Sequence, residues 1–282
     1  KVTSVRGEDV QTEVVYGGTL KSRKGINLPN TVVSAPSLTE KDHSDLEYGL
    51  RQNLDWVALS FVRKASDIFE LRMMMEDAGS RTKIIAKVEK PEALENIDEI
   101  IAATDGVMVA RGDLGVEIPG EQVPIWQKKI IEKCNQSGKP VIVATQMMES
   151  MIDSMTPSRA EVNDVANAVL DGADAVMLSG ETSVGQYPVE VVTAMAKIVA
   201  AAETSGVNHI KERKPKKGDD RFVNNAICFQ AAKMANLVEA KAICTMTFSG
   251  YSAQLISSFR PKSNIYAFTS NRAILNKVSL SK

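Results

Sequence analysis

Apolar and polar positions alternate in blocks along this chain, and the blocks recur. Between residues 55 and 181 an apolar, strand-like run ends in polar residues and an amphipathic stretch follows, five times over. The runs cover residues 56–62 (WVALSFV), 83–89 (KIIAKVE), 106–112 (GVMVARG), 140–146 (PVIVATQ) and 175–181 (AVMLSGE). That alternation predicts parallel strands joined by crossover helices. Successive runs start roughly 25 to 35 residues apart, about what one βα unit requires. The helical stretches carry their own end signals. Thr39 with Asp42 and Ser158 with Glu161 read as capping boxes, Pro91 suits a first helical turn, and Gly172 closes an apolar-periodic stretch as a C-terminal cap would.

Either side of this block the texture changes. Residues 1–29 read as short β-strands and a loop ending in KGINLP at 24–29, and residues 206–220 carry a charge run that reads as a solvated connector. Beyond it the pattern predicts a helix over 222–236, a strand over 242–246, a helix after Ser252 and a strand over 264–268, the opening of a second α/β domain. The expected division is therefore 1–29, 30–205 and 206–282.

Composition narrows the function classes. Lys and Arg number 34 against 35 Asp and Glu, so there is no basic field to hold nucleic acid. The apolar runs are too short for a membrane-spanning helix, and the opening residues lack the charged and apolar regions of a secretory signal. A cytoplasmic protein without membrane or nucleic-acid partners is the expectation. With three scattered cysteines and two histidines, neither a disulfide framework nor a structural zinc site is expected.

In a parallel α/β sheet or barrel, ligands bind at the carboxyl ends of the strands. Here those ends carry Ser60 and Arg63, Lys87 and Glu89, Arg111 with Gly112 and Asp113, Thr145 and Gln146, and Ser179 and Glu181. Lys87 and Glu89 are two residues apart and share one face, as Arg111 and Asp113 would if their strand persisted that far. Glu89 and Asp113, with no thiol or imidazole beside them, form an oxygen site suited to magnesium or manganese. Lys87 is placed to neutralise an anion sharing that metal. The Gly112 and Asp113 amides and the Thr145 hydroxyl can hold a carboxylate. Singly, each motif also fits a surface ion pair or a plain turn; together they point to metal-assisted chemistry on a small anionic substrate. Phosphoryl transfer and enolate chemistry such as aldol cleavage both remain open on this reading.

These motifs resemble the pyruvate kinase family. Residues 84–94 (IIAKVEKPEAL) are similar to its active-site signature and residues 107–117 (VMVARGDLGVE) to its metal and substrate loop, and 144–151, 159–161, 164–169 and 177–182 match in the family's order. The resemblance implies transfer of a phosphoryl group from phosphoenolpyruvate to ADP, giving pyruvate and ATP. It implies a TIM (β/α)8 barrel with a β lid domain and a C-terminal α/β regulatory domain. Lys87 would stabilise the transferring phosphoryl group, Glu89 and Asp113 would hold Mg2+ or Mn2+, and Gly112, Asp113 and Thr145 would bind the substrate carboxylate end. Thr145 would also lie on the face where the enolate is protonated, and Lys24 would contact the nucleotide. Residues 245–252 (TMTFSGYS) are similar to a loop that binds a phosphorylated sugar effector, with Ser249, Gly250 and Ser252 as donors. A homotetramer is implied for the full-length family.

The barrel's opening three strands and most of the lid have no counterpart in this chain. With them go an arginine at the phosphate site and the ligands of the K+ that the family uses. Five strands cannot close an eight-stranded barrel, so the expectation is either a part of a longer polypeptide or a truncated chain of very low activity. The alternatives are a metal-dependent lyase of pyruvate enolates and an inert fragment that serves only in subunit contact or effector binding.

Overall fold

The computed structural model describes residues 1–19, 37–205, 213–218 and 220–281. The chain divides into two compact units, Lys1–Thr31 and Val32–Lys282. In the first, β1 (Val2–Arg6) and β2 (Asp9–Thr12) form an antiparallel hairpin. It turns at Gly7, whose φ of +61° suits a glycine.

The second unit is built on a five-stranded parallel sheet in the order β3 (Trp56–Leu59), β4 (Lys83–Val88), β5 (Gly106–Ala110), β6 (Val141–Ala144) and β7 (Ala175–Met177). Register runs unbroken across it, from Trp56 opposite Lys83 to Ala144 opposite Met177. The sheet is open, an arc of a barrel. Helices cross between the strands. They are α1 (Glu40–Arg51) ahead of β3, α2 (Ala65–Asp77), α3 (Pro91–Glu95) and α4 (Ile97–Ala103), α5 (Arg111–Glu117) and α6 (Val123–Ser137), and α7 (Arg159–Asp171). The short α8 (Gly180–Ser183) and the long α9 (Pro188–Thr204) follow β7.

Both predicted capping boxes form: Thr39 Oγ1 accepts from the Asp42 amide, and Ser158 Oγ from the Glu161 amide. Gly172, at φ +101°, closes α7 in the left-handed conformation that glycine takes without a Cβ penalty.

Side-chain alternation divides the sheet into two faces. Ile84, Ala86, Val88, Val107, Val109, Val141 and Val143 are all fully buried and pack on the helices. Each of these valines and the isoleucine contributes about 1.5–3 kcal/mol to folding. Ile85, Met108, Ile142 and Ala144 form the core of the opposite face with Trp56 and Met177. Lys87, two residues beyond Ile85, lies on that second face.

After residues 213–218, where Lys214, Lys216 and Lys217 are exposed, comes α10 (Phe222–Leu237). It leads to β8 (Ala242–Met246), α11 (Tyr251–Ser258) and β9 (Asn264–Phe268), and α12 (Leu275–Val278) follows. Strands β8 and β9 pair in parallel, and α10 packs on α11 through Cys228, Phe229, Leu255 and Phe259. Burial pushes the Cys228 thiol up, against a hydrogen bond from Ser252 that draws it down. Among the described residues, no helix is long and apolar enough to cross a membrane.

Candidate active site

The strands end earlier than the apolar runs do. β3 stops at Leu59, β5 at Ala110 and β6 at Ala144, so the polar residues that close each run leave the ladder and begin turns or helices. Phe61, Thr145 and Gln146 do so with φ of +54°, +69° and +54°. For residues with a Cβ, and above all for β-branched Thr145, that conformation costs on the order of 1–3 kcal/mol each and persists only where the surroundings impose it.

At the end of β4, Lys87 Nζ donates to Ser60 Oγ at 2.8 Å and stands 2.6 Å from Glu89 Oε1. The Glu89 side chain is 1% exposed, and its Oε2 accepts from the Phe61 amide at 2.8 Å. The strained turn at Phe61 thus aims a backbone N–H at a buried carboxylate. Glu89 Oε1 is buried and receives no directed hydrogen bond, the Lys87 contact being an ion pair of poor angle. The cation that faces this buried anionic oxygen is the Lys87 ammonium.

Strand β5 does not persist far enough for Arg111 and Asp113 to share a face. Arg111 opens α5, so residues 111 and 113 are separated by about 200° of helical rotation and part company. Asp113 is half-buried in the first turn. The Arg111 guanidinium is buried: Nη1 donates to Asp164 Oδ1 at 2.7 Å and Gln127 Oε1 at 3.2 Å, while Nε and Nη2 both donate to the Thr145 carbonyl, at 3.3 and 2.8 Å. Nη2 also lies 2.8 Å from Met147 Sδ.

Thr145 is held from two further sides. Its hydroxyl donates to Ala144 O at 2.6 Å and accepts from the Gly112 amide at 2.7 Å. A Cβ at Gly112 would stand 3.3 Å from Thr145 Oγ1, a tight approach that would press on the hydroxyl. The hydroxyl proton being committed to Ala144 O, Thr145 presents acceptor capacity and a fixed orientation rather than a proton to give.

The remaining strand-end residues do structural work. Glu181, buried, accepts from the Ser179 amide at 2.7 Å and the Met148 amide at 3.2 Å, tying β7 to the loop after β6. Arg63 turns to Ser37. Ser60 stood among the strand-end residues without an assigned role, and Asp164 and Gln127 were not anticipated as partners of Arg111. Lys24 lies outside the described residues.

The loop at residues 247–250 uses its own groups: the Gly250 amide donates to Thr247 Oγ1 at 3.0 Å, and Ser252 is engaged with Cys228. Ser249 is exposed. Gly250 has φ +83°, and a Cβ there would meet Val278 at 2.8 Å, which is reason enough for the glycine.

Set beside known proteins, residues 1–192 match the model of the pyruvate kinase barrel domain and residues 225–282 that of the pyruvate kinase alpha/beta domain. The chain belongs to the pyruvate kinase family. It is 46% identical to a pyruvate kinase of Clostridium perfringens over 99% of its length and 60% of the relative's. It is 48% identical to one of Geobacillus stearothermophilus over 96% of its length and 46% of the relative's. With a pyruvate kinase of Clostridium acetobutylicum it shares 44% identity, over 99% of the chain and 59% of the relative. The chain thus spans 46 to 60% of the length of these relatives. The five-stranded parallel arc fits part of a barrel, and the β8–β9 unit fits the alpha/beta domain. Pyruvate kinases are in general metal-dependent. Among the described residues no group of three or more His, Cys, Asp and Glu could hold a metal.

Proposed function

We propose that this chain carries the phosphoryl-transfer site of a pyruvate kinase, which moves the phosphoryl group of phosphoenolpyruvate to ADP and yields pyruvate and ATP. The observation that carries the reading is the cluster at the end of β4: Lys87 fixed by Ser60 and paired at 2.6 Å with a buried Glu89. In the reaction the bond from phosphorus to the enol oxygen breaks, a terminal oxygen of ADP bonds to phosphorus, and the enolate left behind takes a proton at its methylene carbon. Lys87 contributes fixed positive charge to the transferring group, worth most where water is excluded. Glu89 and Asp113 would hold Mg2+ or Mn2+, which when bound supplies further charge compensation to the substrate oxygens. The Gly112 and Asp113 backbone and Thr145 orient the carboxylate end of the substrate. With its own proton donated to Ala144 O, Thr145 fits an orienting part better than the proton donor's, which we assign to water.

We further assign residues 1–29 to the lid, 30–205 to the barrel and 206–282 to the regulatory domain of a cytoplasmic, homotetrameric enzyme, with Lys24 toward the nucleotide. A phosphorylated sugar at Ser249, Gly250 and Ser252 would have to displace the bonds that the Gly250 amide and Ser252 make within the domain.

The test is pyruvate formation from phosphoenolpyruvate with and without ADP and Mg2+. Pyruvate formed only when both are present, with ATP in equal amount, is the expected result. Enolate cleavage without ADP would identify a lyase instead, and binding of neither substrate nor oxalate would leave an inert chain.

A further inference from the structure

We propose that Arg111 is a positioning residue for Thr145 and that Asp164 sets its orientation, an inference that rests on the reading of Thr145 as a substrate-orienting group. The guanidinium has five N–H donors, and the structure gives it five contacts: Asp164, Gln127, the Thr145 carbonyl twice, and Met147 Sδ. Four elements meet there. Arg111 opens α5 at the end of β5, Thr145 follows β6, Gln127 lies on α6 and Asp164 on α7.

Thr145 and Gln146 both take positive φ, an arrangement that neither residue adopts unaided. Fixing the Thr145 carbonyl from two nitrogens of one planar group sets the direction of that peptide, and so the φ that follows it at Gln146. With the carbonyl fixed, the hydroxyl meets the Gly112 amide at 2.7 Å, one residue along from Arg111 itself. The loop is closed: Arg111 holds the carbonyl of Thr145, and the next amide in the chain holds its hydroxyl. Lysine in place of Arg111 can reach one of these partners but not both, because an ammonium has no fork. The side chain of Asp164 is one-third exposed against one-tenth for Arg111, so it orients the guanidinium from the outer side.

The test uses Arg111→Lys, Asp164→Asn, Thr145→Val and the double variant Arg111→Lys/Thr145→Val, read by amide hydrogen exchange at Gly112 and residues 145–147 and by steady-state turnover. Arg111→Lys is expected to retain cooperative unfolding while exchange at those amides quickens about tenfold. Its turnover at saturating substrate should fall roughly 10- to 100-fold, as displaced positioning groups cause. Because both residues act through one group, adding Arg111→Lys to Thr145→Val should cost less than about twofold more. Asp164→Asn, which keeps the guanidinium and removes its anchor's charge, should quicken the same amides about threefold and serves if Arg111→Lys does not fold. Unchanged exchange at Gly112 and 145–147 in a folded variant would overturn the proposal, as would losses at 111 and 145 that multiply independently. A parent protein without turnover on phosphoenolpyruvate and ADP counts against the functional reading alone, since the exchange readout stands without activity.

Discussion

Lys87 and Glu89 share a sheet face but not a role. Lys87 is one-quarter exposed and has both Ser60 and Glu89 within reach, whereas Glu89 is almost wholly buried with one oxygen lacking a donor. Lys87→Met keeps the length and much of the apolar stem. It should lower turnover at least 100-fold, because the charge that meets the transferring group is gone. It also leaves Glu89 with only the Phe61 amide, so a stability loss of about 1–3 kcal/mol should accompany it. Urea unfolding and a pyruvate assay on one preparation separate the two effects, and turnover within threefold of the parent would remove Lys87 from the mechanism. Glu89→Gln preserves shape and one acceptor oxygen for Phe61. The magnesium concentration for half-maximal turnover should rise about tenfold or more, since a ligand matters at least as much as the groups behind it. An unchanged magnesium requirement would reassign the carboxylate to a purely structural part.

At the scale of elements, the loop after β6 depends on helix α7 as well as on Arg111. Glu161, in the first turn of α7, accepts from the amide and hydroxyl of Ser150 at 2.7 and 2.5 Å and from those of Ser158 at 2.7 and 2.8 Å. Partial burial pushes its carboxyl up, but the bonds from Ser150 and Ser158 outweigh that and hold it below the ordinary value of 4.5. A lowered folded-state value means that the stabilisation is present above the unfolded value and is lost as pH falls through the folded one. The fall in urea midpoint between pH 6 and pH 3 should therefore be smaller in Glu161→Gln than in the parent, and an equal fall in both would show that the clamp does not couple to protonation.

The capping-box half of this clamp was legible in the sequence, because Ser158 and Glu161 are three residues apart and the motif is local. The same holds for β8 and β9, whose observed bounds are the predicted ones, short apolar runs between turn residues. What eluded sequence reading was non-local or strained. Nothing in the run at 140–146 announces that Thr145 and Gln146 turn left-handed, and the Arg111–Asp164 pair spans 53 residues and exists only once α7 packs against α6 and β7. How far the strand in the run at 106–112 persists is likewise left open by the sequence. The run's apolar residues stop at Ala110, and α5 begins where they stop.

At the scale of the whole Val32–Lys282 unit, two buried cations tie the sheet to the segment that holds β8 and β9: Lys277, which donates to Arg81 O at 2.7 Å, and Arg260. Arg260 follows α11, and its side chain and that of Asp174 are 7% and 6% exposed, paired at 2.9 Å. Its Nη2 also donates to Gly172 O at 2.8 Å, and the other oxygen of Asp174 accepts from the Val141 amide at 3.0 Å. Val141 and Ala175 open β6 and β7, so the contact reaches the ends of these strands opposite to Thr145 and Glu181. Removing Arg260 takes the guanidinium away from a carboxylate that is 6% exposed, a loss of about 3–5 kcal/mol. Arg260→Met should destabilise the protein by that amount in urea unfolding. Arg260→Met/Asp174→Leu should recover a good part of it, because the leucine removes the buried carboxylate along with its guanidinium partner. If the single variant falls by less than about 0.5 kcal/mol, the size of an ordinary surface change, the pair is not what holds these parts together. If the double variant is worse than the single by a further 3 kcal/mol or so, Asp174 works chiefly through Val141 and the start of β6, and the fastening belongs to the sheet alone.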